Sequence, residues 1–513
     1  MPERINIKNI VLFILLLVAG VALFTISFPS HQRSLSTSKS QAVLVCHRAE
    51  LNLRAADALN VLPSVDSEPS DKESADDDIS ATEFIGKLKT GKSRLLANEA
   101  QETLESATKQ DEQNLGLLAR KIVLEFELNE STQEDWKCIA SIGSKGSNIV
   151  EAEASLPIFQ QLYQNNDAKI KQKFVLPTDF SIKLEKLLGT GWFKERALLK
   201  FYKLSKQSAQ YHQLLQAIKD KSWGFVFKLA LLGVGIFAFG FSGLLILLWR
   251  LCFYKPNPSL TIAIKESAAN VRYGWPAVFI VFYAWFCTQL LFAQLVAHLR
   301  KINVINISSS HSLSLSLMIA VIYLLSNGPA LAYVYLFALR PQKISFLKGI
   351  NWRFKGGASE PFKLFGMAYL AWMAAIPLVL FSYLLSIKLF NTSGSSNPII
   401  AIVMEAAGTN NLSSILLFYL TLGVMAPCVE ESLFRGFFYA FLRSRYGPIF
   451  SNLVSAGLFA VAHLDPGGAL PLFCLGSVFA YLFEVTGSVV PAVIAHGLWN
   501  SAVFTLVLLL FGN

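Results

Sequence analysis

The sequence predicts an all-α chain: a polytopic transmembrane helix bundle with an N-terminal membrane anchor and a mostly helical extracytoplasmic domain. Three observations predict it. Of the 513 residues, 53% are hydrophobic and 16% charged, and the mean hydropathy is +0.45, a balance that points away from a single soluble domain. The apolar residues gather in runs near the roughly 20 residues that cross a hydrocarbon core. The charge is also uneven. After Ser222 there are 17 Lys and Arg against 7 Asp and Glu, whereas residues 29–222 carry 26 against 27, so the net +10 sits in the apolar half. Basic residues in short loops between spans mark a cytoplasmic membrane face. They form no patch with interleaved aromatics, so no nucleic-acid partner is expected.

Residues 10–28, "IVLFILLLVAGVALFTISF", follow Arg4 and Lys8. The run is longer than a signal-peptide core and no A-x-A site follows it, so residues 1–28 are expected to be a retained signal anchor with the amino terminus inside. Residues 29–222 form the next unit. It opens Ser-rich and contains "SVDSEPSDKESADDDIS" at 64–80, whose low apolar content predicts disorder. Further on, "DEQNLGLLARKIVLEFEL" and "ERALLKFYKLSKQSAQYHQLLQAIKD" space apolar residues as helices do. No nucleotide loop, metal-ligand cluster or nucleophile motif occurs in this unit. Cys46 and Cys138 fall in it, and one disulfide between them is compatible with an oxidising compartment.

From about Trp223 the chain becomes a membrane region, with 223–364 as additional helices and 365–513 as a distinct core. Spans are expected near 228–249, 274–297, 316–338, 365–387, 412–428, 448–464, 470–485 and 489–511. With the amino terminus inside, the basic loops at 250–273, 339–364 and 442–447 all fall inside. The loop at 389–411 has no basic residue and falls outside, as does 298–315, which has Arg300 and Lys301. Residues 29–222 are then extracytoplasmic. An integral, multi-pass protein of a bacterial plasma membrane or a related organelle membrane is expected, with the lipid bilayer as its first partner.

Polar groups inside such spans are costly, at roughly 2.5 to 3.5 kcal/mol for a charge at a helix centre, and mark function. Four of the seven acidic residues after Ser222 lie in the last hundred residues: Glu430, Glu431, Asp465 and Glu484. His463 and His496 lie there too, in "GLFAVAHLDP" and "PAVIAHGLWNSAVF". In "APCVEESLFRGFFYAFL" (426–442), Glu431 and Arg435 are i and i+4 and neutralise each other within the helix. An interfacial ion pair is the plain reading of those two. Glu430 points about 100° away around the axis and has no partner in its own helix. Phe459 lies one turn before His463, and His496 and Asn500 share a face.

A lone membrane histidine or asparagine usually ties helices together, but these residues come from three segments and can converge on one polar cavity. Glu430 with His463 would then deprotonate a water for attack on a peptide carbonyl, with His496 and Asn500 donating to the oxyanion. In a second version Glu430, His463 and His496 hold a divalent metal such as zinc. H-E-x-x-H is absent, and the metal-free version, requiring no cofactor, is preferred. Ser432 and Cys428 lack a nucleophile elbow and are set aside. A proton-coupled transporter is disfavoured because the spans before 412 hold almost no carboxylates. A non-catalytic immunity or scaffold protein stays open.

The three elements "EESLFR" (430–435), "FAVAH" (459–463) and "HGLWN" (496–500), in this order, match E-E-x-x-x-R, F-x-x-x-H and H-x-x-x-N. The set resembles the CPBP or Abi intramembrane proteases, which include the type II CAAX prenyl endopeptidases and the bacteriocin-processing enzymes. The resemblance spans roughly 365–511 and implies a helical membrane hydrolase acting on a peptide or protein substrate in or at the membrane. It implies that Glu430 and His463 activate water, that His496 and Asn500 stabilise the oxyanion, and that Glu431, Arg435 and Phe459 support them. The family has often been called metalloproteases, which leaves the metal open.

Overall fold

The computed structural model describes residues 45–46, 49–58, 91–110, 114–143, 156–163, 180–189, 191–253, 271–301, 312–353, 359–390 and 411–511. The expected anchor at 1–28 and the acidic stretch at 64–80 lie outside them. Among the described residues there is no β-strand, and they divide into two units, one up to Gly233 and one from Val234 on.

The first unit is helical. Its elements are α1 Gly91–Gln110, α2 Leu115–Glu127, α3 Gln133–Gly143, α4 Leu156–Tyr163, α5 Phe180–Leu188 and α6 Trp192–Leu204, beside helical residues 49–58. Leu117, Leu118, Ile122, Val123 and Leu124 on α2 meet Phe159, Trp192 and Phe201 in one core. Helix α6 starts at Gly191, whose φ of 114° suits a residue without Cβ, and the Glu50 carboxylate fills the space a Cβ would take. Glu50 accepts the Trp192 backbone N–H at 3.0 Å, a charged cap on the helix start. Deeper in, Arg196 Nη2 reaches both oxygens of Asp57 at 2.6 and 2.7 Å, and Trp192 Nε1 donates to Asp57 at 2.9 Å. Cys46 and Cys138 pack against this core and are not joined by a disulfide.

Helix α7, Ser208–Phe253, carries the boundary between the units within its 46 residues. The second unit continues with α8 Trp275–Lys301, α9 Ser312–Asn327, α10 Pro329–Tyr333, α11 Glu360–Phe390, α12 Leu412–Arg443, α13 Pro448–Ala462, α14 Ala469–Thr486 and α15 Val490–Phe511. Among the described residues seven helices are long and apolar enough to cross a membrane, and the protein is an integral, multi-pass helical bundle. Two expected spans differ from the structure. The span expected to stop at 428 runs on to Arg443, because its polar side chains are satisfied inside the bundle and do not end the helix. The helix expected at 448–464 has 15 residues, Pro448–Ala462, with Pro448 in its first turn.

Two glycines set the packing around α12. A Cβ at Gly497 on α15 would strike the Gly423 carbonyl, and one at Gly436 would strike the Ile350 carbonyl. Small residues at these crossings let backbones approach as they do between membrane helices.

Candidate active site

Helix α12 is not uniform. Turns bonded five residues apart occupy Thr421–Met425 and Ser432–Tyr439, and they flank the α-helical Ala426–Glu431 that carries both glutamates. Such widened turns recur at functional sites. The first has a sequence cause. The Ala426 N–H reaches back to Thr421 O, and the next residue, Pro427, has no N–H to offer Leu422 O. That carbonyl takes Asn500 Nδ2 instead, at 2.9 Å. In the second, Phe434 O, Gly436 O and Phe437 O accept side-chain donors from Ser455 (3.2 Å), Asn351 (3.2 Å) and Tyr273 (3.0 Å). Backbone groups at membrane depth are thereby satisfied within the protein.

Glu431 and Arg435 form their ion pair, Nη1 to Oε1 at 2.9 Å, with both side chains 0% exposed. The pair is thus fully interior and not interfacial. Arg435 Nη2 donates to Gly476 O at 2.9 Å, and its guanidinium lies 4.4 Å from the Phe459 ring centroid. The same Glu431 Oε1 accepts His496 Nδ1 at 2.8 Å. Glu431 therefore has two partners, one on its own helix and one on α15.

Glu430 faces elsewhere, as helical geometry requires. Its Oε1 accepts the Tyr323 hydroxyl at 3.0 Å. Its Oε2 is buried with no hydrogen-bond partner among the described residues and stands 3.9 Å from His463 Nε2 and 3.9 Å from His496 Nε2. His463 closes α13, and the chain then turns at Leu464 with φ 51°. Its Nδ1 lies 2.8 Å from Phe459 O. A carbonyl oxygen can only accept, so Nδ1 carries the proton and the neutral ring presents an acceptor at Nε2. Phe459 lies against both imidazoles, 4.7 Å from His463 and 5.8 Å from His496 between centroids, while Phe479 stacks on His496 at 5.0 Å.

Three of the four predicted catalytic side chains, on α12, α13 and α15, therefore converge on one point. Asn500 lies one turn along α15 from His496, with one amide hydrogen given to Leu422 O. Of the other acids in this stretch, Glu484 is committed to Arg443 and Tyr439. The Ser432 hydroxyl donates to Cys428 O at 2.6 Å and accepts Trp352 Nε1 at 2.9 Å, so it is engaged as a structural tie.

Residues 412–502 match the family model described as type II CAAX prenyl endopeptidase, Rce1-like. This segment is similar to the Rce1-like family. No curated protein and no solved structure matches the chain. The matched segment holds all of Glu430, Glu431, Arg435, Phe459, His463, His496 and Asn500, and it lies in a chain with seven helices, among the described residues, long and apolar enough to cross a membrane.

Donors 2.0 to 2.1 Å from a tetrahedral zinc lie roughly 3.3 Å apart. The 3.9 Å separations from Glu430 Oε2 to the two imidazoles are wider, and among the described residues no three His, Cys, Asp or Glu side chains are spaced to hold a metal ion. The donor set as arranged does not fit zinc. Sequence reading missed Tyr323 and Phe479. Phe479 is one aromatic among many in an apolar helix, and Tyr323 lies on α9, before the matched segment, with no motif around it.

Proposed function

We propose that this chain is an intramembrane endopeptidase that hydrolyses a peptide bond of a membrane-associated substrate with water activated by Glu430 and His463. The observation that supports it most is the buried Glu430 Oε2, which faces two imidazole Nε2 atoms at 3.9 Å each. That spacing is too long for a direct hydrogen bond and suits two groups that share one water. A buried carboxylate oxygen left unpartnered costs about 1 to 3 kcal/mol or more, and a water held there removes that cost.

In this reading the water gives its proton to Glu430 Oε2, with His463 Nε2 accepting a hydrogen bond from it and orienting its lone pair. The water oxygen attacks the scissile carbonyl carbon, and the carbonyl π electrons move to oxygen. His496 Nε2 and the second Asn500 amide hydrogen donate to that oxyanion. His496 already donates from Nδ1 to Glu431, so donation from Nε2 requires a doubly protonated ring. Glu431 on one side and Glu430 on the other are the counter-charges such a ring needs. Collapse of the intermediate breaks the C–N bond, and the proton held at Glu430 passes to the leaving nitrogen. The acid and the amine so formed exchange the remaining proton and leave as a carboxylate and an ammonium.

The matched family's description supports a prenylated C-terminal peptide as the substrate class to test first. The loop charges support an orientation with residues 29–222 extracytoplasmic, where they would select or gate substrate. The test is a survey of new peptide termini in membranes of cells expressing the wild type, Glu430→Gln or His463→Ala at equal levels. Cuts that vanish in both variants, a loss of about 100-fold or more, are the expected result. If every cut survives in the variants, the protein is not a protease of this mechanism, and a non-catalytic role stands in its place.

A further inference from the structure

Resting on that reading, we propose that Tyr323 is a positioning residue for the reaction: its hydroxyl holds one oxygen of Glu430 so that the other is presented to His463, His496 and the water between them. Tyr323 is on α9, outside the matched residues 412–502, so the family match does not assign it. Its O–H lies 3.0 Å from Glu430 Oε1 and 3.5 Å from Ala426 O, the carbonyl one turn earlier on α12. The shorter contact, to a carboxylate, is the stronger of the two.

A glutamate carboxylate turns freely about its last torsion, which has broad, two-fold wells. Untied, Oε1 and Oε2 exchange, and the carboxylate plane swings away from the imidazoles for part of the time. With Oε1 held by Tyr323, Oε2 is fixed as the oxygen that faces both Nε2 atoms. Proton transfer depends steeply on such placement, because a misplacement of about 1 Å can cost 100-fold.

Tyr323 is itself anchored. One turn further along α9, Gln289 Nε2 on α8 donates to Ser326 O at 3.1 Å and to Asn327 Oδ1 at 2.8 Å. Asn327 Nδ2 donates in turn to Ser326 Oγ at 3.0 Å. Helix α9 also packs against the start of α12. Polar contacts therefore fix α9 against α8, and α9 carries the hydroxyl that meets Glu430, so helices outside the matched segment support its carboxylate. Their role in the fold is to brace the site as well as to enlarge the bundle.

The test uses the full-length protein in membranes and a peptide reporter built from a cut that depends on Glu430 in the survey above. Tyr323→Phe removes the hydroxyl and keeps the ring. Per folded molecule, kcat is expected to fall at least about tenfold while KM stays within about twofold, the signature of a group that acts in the transition state and not in substrate binding. A variant that fails to fold, or one that folds less stably yet turns over at the wild-type kcat, shows a purely structural tyrosine and overturns the inference. If no cut depends on Glu430, the protease reading itself falls and this inference with it. If cuts depend on Glu430 and Tyr323→Phe retains full kcat, the inference alone falls.

Discussion

Glu431 Oε1 is shared by Arg435 Nη1 at 2.9 Å and His496 Nδ1 at 2.8 Å, in a place with no exposure to solvent. A buried pair of this kind is kept for what it positions more than for its net stability. Breaking it from one side is costly, since the remaining charge is left unpaired. Arg435→Ala is therefore expected to destabilise the bundle by about 3 to 5 kcal/mol, read as a lowered thermal midpoint of the full-length protein in detergent. An unchanged midpoint would mean that Glu431 finds another partner. The split between the two adjacent glutamates was legible in the sequence, because i and i+4 spacing alone pairs Glu431 with Arg435 and leaves Glu430 over. What the pattern did not contain was the identity of Glu430's own partner. Tyr323 precedes it by 107 residues, and a single tyrosine in an apolar span carries no periodic signal.

At the scale of elements, α12 is two widened turns around one α-helical segment, and both glutamates sit on that segment. Pro427 withholds an N–H from Leu422 O, and Asn500 on α15 uses the released carbonyl to fix its amide. Pro427→Ala restores a backbone donor that competes with Asn500. It is expected to lower kcat about tenfold with little loss of folded protein, in line with what misorientation of a donor costs. Measuring kcat and the thermal midpoint together checks this, and unchanged kcat would show that Asn500 keeps its place without the freed carbonyl. The sequence shows an apolar run ending near 428 and another helix beginning near 448, so the expected span stopped where charge began. The helix continues to Arg443 because Ser455, Asn351, Tyr273 and Gly476 supply or accept the hydrogen bonds that the charged, widened stretch requires. Those partners lie 20 or more residues away, beyond any local pattern.

Taken as a whole molecule, the chain joins a membrane-embedded segment similar to the Rce1-like family to a helical unit with buried charge of its own. In that unit burial, and then the neighbouring Asp135 carboxyl, push Glu125 up from 4.5 to about 8, against the pull of Lys121 at 3.2 Å. Between those values the folded unit holds a proton that the unfolded chain has released, so its stability falls as pH rises through that window. Protection of the α2 amides against hydrogen exchange in the full-length protein, corrected for intrinsic rates, is expected to be higher at pH 5 than at pH 8. Glu125→Gln is expected to reduce that difference, and equal protection at both pH values would contradict the assignment. The membrane class and the convergence of Glu430, His463 and His496 were readable from hydropathy and three spaced motifs; the inner network of this unit was not, since its partners, such as Asp57 and Arg196, are 139 residues apart. The central claim is that Glu430 carries the water chemistry. Its most direct test is kcat of the purified full-length protein on a Glu430-dependent reporter, for Glu430→Gln beside Cys428→Ala and Ser432→Ala. Cleavage lost to background in Glu430→Gln and retained in the other two is the predicted result. Cleavage retained in Glu430→Gln, or abolished in Cys428→Ala or Ser432→Ala with the protein still folded, would contradict it.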